Sequence, residues 1–298
     1  MKRILSVLAG LLLVSNLVLA QGYTFKVLAN KGDNKVKSGS EWQALKTGSS
    51  LNETDELQVS ADAYLGLVHS SGKTLELKEA GNHKVSDLAA KINTSGSSVA
   101  SKYADFVLSK MSAESKKNRL SATGAVHRGT NDAIKVFLPS SVGVFSDKAI
   151  VRWDSTTDNS ITYKVTLKNM FEDVLLSIET NNPNVEIDLN DEKIAKENVV
   201  LLSVVNKNDE TIKSGTYAIK KLPAADAEKV KAALSELMSD VEQESALNKY
   251  ILAGFYEENN LLADALTSYE EAMQLAPEVD SYKEAYLEFL LRNRLGGE

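Results

Sequence analysis

The stretch "LAGFYEENNLLADALTSYEEAMQLAP", Leu252 to Pro277, decides how the C-terminal part of the chain is read. Small residues (Ala253, Ala265, Ala272) and large apolar ones (Leu252, Tyr256, Tyr269) recur at helical spacing on either side of Asn259–Asn260. Apolar residues three and four apart share one face of a helix. Asn tolerates the left-handed backbone that ends a helix, so the Asn pair predicts a turn between two antiparallel helices. The three alanines let the helix axes approach closely, and the Leu and Tyr side chains fill the space between them. Pro277 closes the second helix. Two further helices flank the pair: Ala224–Gln243, with Val230, Ala233, Leu234 and Leu237 on one face, and "DSYKEAYLEFLLRN", Asp280–Asn293. A helical pair needs neighbours to bury its faces, so a helical domain of about four helices is expected over 224–298.

Upstream of Ala224 the hydrophobic period changes. "AIVRWD", "ITYKVTLKN", "VLLSIET", "VEIDL", "VVLLSVVN" and "TYAIKKL" read as strands, separated by turn clusters such as "STTDNS", "NNPN" and "NKNDET". This predicts a β-sandwich over 133–223. The runs "YTFKVLAN", "ELQVS", "YLGLVHS" and "KTLELK", with turns at Asn30–Asp33, Ser49–Thr54 and Ser70–Gly72, predict a small all-β domain over 21–92. Leu75 and Leu77 alternate with Glu76 and Lys78, which predicts one buried face and one wet face. Between the two β regions, over 93–132, "SSVASKYADFVLSKM" sets Val99, Tyr103, Phe106, Val107 and Met111 along one stripe. That is a connecting helix packed on a sheet, capped by Ser97 or Ser98. The polar text that follows, basic at Lys116, Lys117 and Arg119, reads as an exposed linker. The fold class is multidomain β plus α.

Three resemblances accompany this reading. "LNKYILAGFYEENNLLADALTSYEEAMQLAP" resembles a tetratricopeptide repeat through Leu252, Ala253, Tyr256, Ala265, Tyr269, Ala272 and Pro277, with Lys249 where the pattern has Trp. Val27–Gly81 resembles the FecR-type periplasmic domain through Trp42, Leu45, Gly48, Leu51, Asp55, Leu67, Gly72 and Leu77. The full FecR regulator has a cytoplasmic segment and a membrane span ahead of this domain. A direct anti-sigma role is therefore not implied. Trp153, Tyr163 and Val165 resemble the fibronectin type III or immunoglobulin-like core pattern, which implies that Trp153 is a core residue. The repeat resemblance implies a face that holds a peptide or partner helix, carried by Tyr250, Gly254 and Glu257, unless the helices close into a bundle with no free groove.

At the N-terminus, Lys2 and Arg3 precede an almost wholly apolar run, Ile4–Leu19, and Val18 and Ala20 supply the small residues of a cleavage site. This predicts a secretory signal peptide over 1–20, with the mature chain starting at Gln21. The run is short for a membrane anchor, and no later stretch reaches spanning length. The chain has no cysteine, so neither disulfides nor a lipoprotein anchor are expected, a pattern that suits the bacterial periplasm. The mature chain carries 32 basic and 41 acidic residues, a net −9, of which −10 lies in 224–298. That balance opposes binding to nucleic acid or anionic lipid.

Little in the chain points to catalysis. His69, His83 and His127 lie at no mutual spacing that would hold a metal. "SATGAVHRGT" lacks the order of a phosphate loop, and no nucleophile elbow is present. The carboxylate pairs Glu257–Glu258 and Glu270–Glu271 read as solvated helix surface. No cofactor is expected. The expected function is that of an exported, non-enzymatic scaffold or sensor-accessory protein, with a protein or peptide partner in the cell envelope. The alternative is an envelope polysaccharide-binding module, for which Trp42 and Trp153 are the only tryptophans on offer, each with a core assignment.

Overall fold

A computed structural model describes residues 22–92, 99–110, 134–154, 161–238 and 245–295 of the 298-residue chain. The expected signal peptide, the linker over 112–133 with His127, and Ser97, Ser98 and Met111 of the expected connecting helix lie outside the described residues. The architecture is multidomain β plus α: an N-terminal all-β unit, a central β-rich unit and four C-terminal helices.

The N-terminal unit comprises β1 (Phe25–Lys31), β2 (Lys35–Ser38), β3 (Glu41–Ala44), β4 (Ser50–Leu51), β5 (Glu56–Val59), β6 (Tyr64–His69), β7 (Thr74–Leu77) and β8 (Gly81–Lys84), then the short helix α1 (Val85–Ala90). They form two antiparallel four-stranded sheets, β4-β1-β6-β7 and β3-β2-β5-β8. Phe25, Val27, Leu51, Leu57, Leu65 and Leu67 make its own core. Each such side chain, fully buried, contributes about 1.5–3 kcal/mol. The predicted β6–β7 hairpin forms with Leu65 opposite Leu77 and Leu67 opposite Leu75. The second face of this sheet is not wet, because all six residues of β6 are buried. Leu65 and Leu67 serve the local core, whereas Tyr64 and Val68 join a second core shared with the rest of the chain.

The central unit comprises β9 (Ser141–Val144), β10 (Lys148–Arg152), β11 (Tyr163–Lys168), β12 (Val174–Thr180), β13 (Asn184–Asp188), β14 (Val199–Asn206), β15 (Asp209–Lys213) and β16 (Tyr217–Lys221). A six-stranded sheet runs β12-β11-β14-β16-β9, with β15 on β14, and a two-stranded sheet pairs β10 with β13. Val165, Leu167, Leu202 and Val204 of the first share a core with Val151, Val185 and Ile187 of the second. Trp153 is buried there, edge-on to Tyr163 with ring centroids 5.3 Å apart.

The helices are α2 (Val99–Lys110), α3 (Ala224–Met238), α4 (Ala246–Glu258), α5 (Leu262–Leu275) and α6 (Asp280–Arg292). Ser245 caps α4 by accepting from the Asn248 amide at 3.2 Å. The α4–α5 turn uses Asn260 at φ 57°, the left-handed position anticipated from the Asn pair, and the Leu261 amide then donates back to the Tyr256 carbonyl at 2.8 Å. Of the apolar face expected on α3, only Leu237 is buried, and Val230, Ala233 and Leu234 are half-buried. Among the described residues no helix is long and apolar enough to cross a membrane.

The helices α4, α5 and α6 sit between the two β units rather than beside them. The N-terminal unit docks on α4 and α6. A Cβ at Gly66 of β6 would lie 3.0 Å from Leu247 Cδ1, so glycine here lets the sheet approach the helix. Glu76 of β7, expected in solvent, instead accepts from the Leu247 amide at 3.0 Å and satisfies one of the open N–H groups at the α4 start. On the other side, α5 lies along the edge of β10.

Candidate functional site

The face expected to take a partner is filled by the chain itself. Tyr250 is fully buried, with its ring 5.4 Å from that of Tyr282 on α6 and 6.0 Å from that of Tyr269 on α5. Burial is the largest cause of its raised hydroxyl pKa. At Gly254 helix α2 crosses so closely that an added Cβ would stand 2.5 Å from Val107 Cγ1 and 3.4 Å from the Tyr103 carbonyl oxygen. The connecting helix touches the N-terminal sheet as expected, with Ser101 Oγ donating to the His69 carbonyl at 3.3 Å, and it also packs on α4, with Tyr103 and Phe255 edge-to-face at 5.1 Å. Glu257, expected to face outward, keeps only 7% of its side chain exposed and accepts from Arg292 Nε and Nη2, each at 2.7 Å. Asn293 Nδ2 adds a third donor at 3.2 Å. Tyr250, Gly254 and Glu257 therefore line a closed seam. The physical reason is that one helical pair leaves an apolar, small-residue face that must be covered, and α2 and α6 cover it.

A polar seam joins α5 to the central unit. Asp264 accepts from the backbone amides of Phe145 at 3.0 Å and Ser146 at 2.7 Å. One turn on, Thr267 Oγ1 accepts from the Ile150 amide at 2.9 Å and itself donates to the Ala263 carbonyl. Two turns on, Glu270 takes Arg152 in a two-pronged pair, at 2.5 and 2.7 Å. These residues shield an open strand edge that would otherwise expose its N–H row. Burial holds the Asp264 carboxyl above its ordinary range, against the pull of the donors from Ser146 and Phe145. Glu270 is buried and its neighbour Glu271 binds Lys249 at 2.7 Å and Lys148 at 3.0 Å, so this pair is not the solvated surface expected.

The two described histidines have structural partners. His69 is buried against Phe25, with Nδ1 2.8 Å from Ser71 Oγ, and burial lowers its pKa. His83 is half-buried and contacts the Glu79 carbonyl at 3.0 Å through Nε2. Among the described residues no group of three or more His, Cys, Asp or Glu side chains could hold a metal ion.

The exposed apolar residues lie elsewhere. At the β11–β12 hairpin tip, Met170, Phe171 and Val174 are 60%, 86% and 61% exposed. The tip is braced: Asn169 Oδ1 accepts from the Phe171 and Asp173 amides at 2.9 Å each, and Asn169 Nδ2 donates to Asp173 Oδ2 at 3.0 Å. Glu172 holds a left-handed φ of 67°. The adjoining β12 ends the order of its sheet. Sequence reasoning passed over this tip, although two large apolar residues inside a turn bounded by Asn169 and Asp173 were its signal. Trp42, assigned to a core from sequence, is instead 38% exposed on β3, with Lys37 Nζ 5.8 Å from the ring centroid. Compared with known proteins, the chain matches no family model and none of the curated proteins.

Proposed function

We propose that this chain is an exported, non-enzymatic scaffold or sensor-accessory protein of the bacterial periplasm that binds a protein partner in the cell envelope. The observation that carries the reading is the braced hairpin tip with Met170, Phe171 and Val174 turned to solvent. Large apolar side chains held rigidly outward contribute nothing to this chain's own core, and they are the usual anchors of a protein interface. The resemblance of Val27–Gly81 to FecR-type periplasmic domains and the signal-like N-terminus favour the envelope as the place of action. The helical unit then serves as an internal splint that fixes two β units in one orientation, rather than as an open groove.

The test compares the mature chain with its Phe171→Ser variant as baits in envelope extracts. The expected result is a protein retained by the first and lost by the second, at equal melting temperature. Retention of no specific protein by the first, or of the same proteins by both, would overturn the reading.

A second reading, envelope polysaccharide binding, is favoured by Trp42 alone, since a half-exposed Trp beside a lysine is a surface on which a sugar ring can stack. Co-sedimentation with purified peptidoglycan, lost on Trp42→Ala, is its expected outcome.

A further inference from the structure

Strand β12 ends the six-stranded sheet, and among the described residues it pairs only with β11. Elsewhere the central unit covers its open backbone: α5 takes the amides of Phe145, Ser146 and Ile150. Which groups of β12 stand free follows from the pairing. The Lys207 amide donates to the Thr162 carbonyl at 2.8 Å, so Thr162 turns its backbone groups towards β14. Backbone groups alternate in direction along a strand, so Tyr163, Val165 and Leu167 turn theirs towards β12. Their partners Thr180, Ile178 and Leu176 are thereby bonded to β11. Ser177 and Glu179, which lie between them, present N–H and C=O outward. Such a row pairs readily with another extended chain.

The side chains indicate which chain. Leu176 and Ile178 stand opposite the core residues Leu167 and Val165, so they lie on the core face of the sheet. They are nevertheless only half-buried, which leaves apolar surface at the margin of the core. Natural sheets guard an open edge with proline, lysine or a bulge. The seven residues of β12, VLLSIET, contain neither proline nor lysine, and the one charge, Glu179, is paired with Lys207 at 2.7 Å. A bulge falls at Leu175, at the tip end of the strand, and leaves Leu176–Thr180 in regular register with β11.

We propose that β12 pairs with β12 of a second copy of this chain, antiparallel about a two-fold axis at Ser177, so that two sheets become one. The axis must fall on a residue, because residues directly opposite each other point to the same face. With the axis at Ser177, Leu176 lies beside Ile178 of the second copy, and the two half-buried margins cover each other. Glu179 then faces Leu175, Val174 faces Thr180, and no like charges meet. An axis at Leu176 would set Glu179 against Asp173, and like charges directly opposite are destabilising. An axis at Ile178 would set Val174 and Leu175 against Asn182 and Asn181. The strand's own sequence therefore selects the Ser177-centred register and matches itself, as an interface between identical copies must. The tip at Met170 and Phe171 lies beyond the paired stretch. The dimer goes beyond the protein-binding reading and stands without it.

The test is analytical ultracentrifugation of the full mature chain, with cysteine cross-linking to read the register. The mass is expected to rise to that of two chains as concentration increases. Ser177→Pro removes an outward N–H from each copy and no bond to β11, so it should weaken dimerisation about tenfold or more. Ser177→Lys, at an exposed position that keeps the fold, sets two ammonium groups opposite each other and should weaken it roughly fivefold. The chain has no cysteine of its own, so an introduced one reports alone. Ser177→Cys should cross-link to its own copy on mild oxidation, because the two Cα atoms stand about 5.5 Å apart, within disulfide range. Glu179→Cys should stay unlinked, since its own copy lies four residues away, about 13 Å along the strand. Phe171→Ser should leave the dimer unchanged. A mass of one chain up to about 0.3 mM overturns the proposal. A dimer that Ser177→Pro and Ser177→Lys leave untouched, or that Phe171→Ser abolishes, uses another surface and overturns it too. Cross-linking at Glu179→Cys but not at Ser177→Cys would overturn the register.

Discussion

Arg292 closes α6 onto the end of α4 by donating from Nε and Nη2 to the two carboxylate oxygens of Glu257, each at 2.7 Å. The two residues are 35 positions apart and sit at the last turns of their helices. A cation near a helix C-terminus is also favoured by the dipole, so Arg292 serves both ends. Glu257→Ala removes the acceptor and strands a largely buried guanidinium. The expected cost is about 3 kcal/mol, visible as a lowered midpoint in urea. The double variant Glu257→Met, Arg292→Met should recover much of the loss, because no unpaired charge is left. An unchanged midpoint for Glu257→Ala would mean that this pair is not part of the folded core.

Gly254 offers a steric test of how α2 sits. A Cβ there has 2.5 Å to Val107 Cγ1, and valine is too short and too stiff to swing away. Gly254→Ala should therefore push α2 off α4 and cost roughly 1–3 kcal/mol, despite alanine's better helix propensity. Hydrogen exchange should speed up over Val99–Lys110 and stay slow over β9–β16. Equal exchange in α2 before and after would refute the close crossing.

How much of this was legible differs by residue. The α4–α5 turn could be read because its cause is local: Asn260 needs φ > 0 and carries that tolerance in its own side chain. The burial of both faces of β6 was half legible. "YLGLVH" is a nearly unbroken apolar run, as in a strand covered on both sides, but the cover comes from α2 together with α4 and α6, the last two more than 170 residues away. Glu270 and Asp264 could not be read at all. A carboxylate on a helix looks the same whether it meets water or an arginine 118 residues upstream, and only the fold brings Arg152 there. The same applies to Glu257. Tyr250 and Gly254 were expected on a face that takes a partner, and sequence does not say whether another protein or the chain's own helices cover such a face.

Asp264 gives a pH prediction with a definite sign. Burial raises its folded-state pKa above that of the unfolded chain, so the native state holds the proton more tightly. Its contribution is then fully present below the ordinary Asp value, about pH 4, and is lost as pH rises through the raised folded value. Asp264→Asn cannot titrate. The melting temperature of the wild type minus that of the variant should therefore fall as pH is raised from about 4 towards neutrality. Other groups, including the similarly raised Asp154, cancel in this difference. A difference that is flat, or that grows with pH, would show that the Phe145 and Ser146 amides outweigh burial.

The joint between the N-terminal β unit and the helices rests in part on one contact, the 2.8 Å hydrogen bond between the hydroxyls of Tyr64 and Tyr282. The rings also meet edge-on, with centroids 6.0 Å apart, so removing the hydroxyls leaves the packing intact. Tyr64→Phe leaves the Tyr282 hydroxyl buried without this partner, and Tyr282→Phe does the reverse. Each single variant should lose about 1–3 kcal/mol. The double variant has neither group left to satisfy, so it should be no worse than either single one. The two losses are thus expected to be strongly non-additive, with a coupling of about 1 kcal/mol or more in a double-mutant cycle. Denaturation followed at the N-terminal unit and at the helices should stay coincident in the wild type, as for one cooperative body. Strictly additive losses in the cycle would mean that the two hydroxyls do not bond, and the docking of β6 on α6 would have to be redrawn.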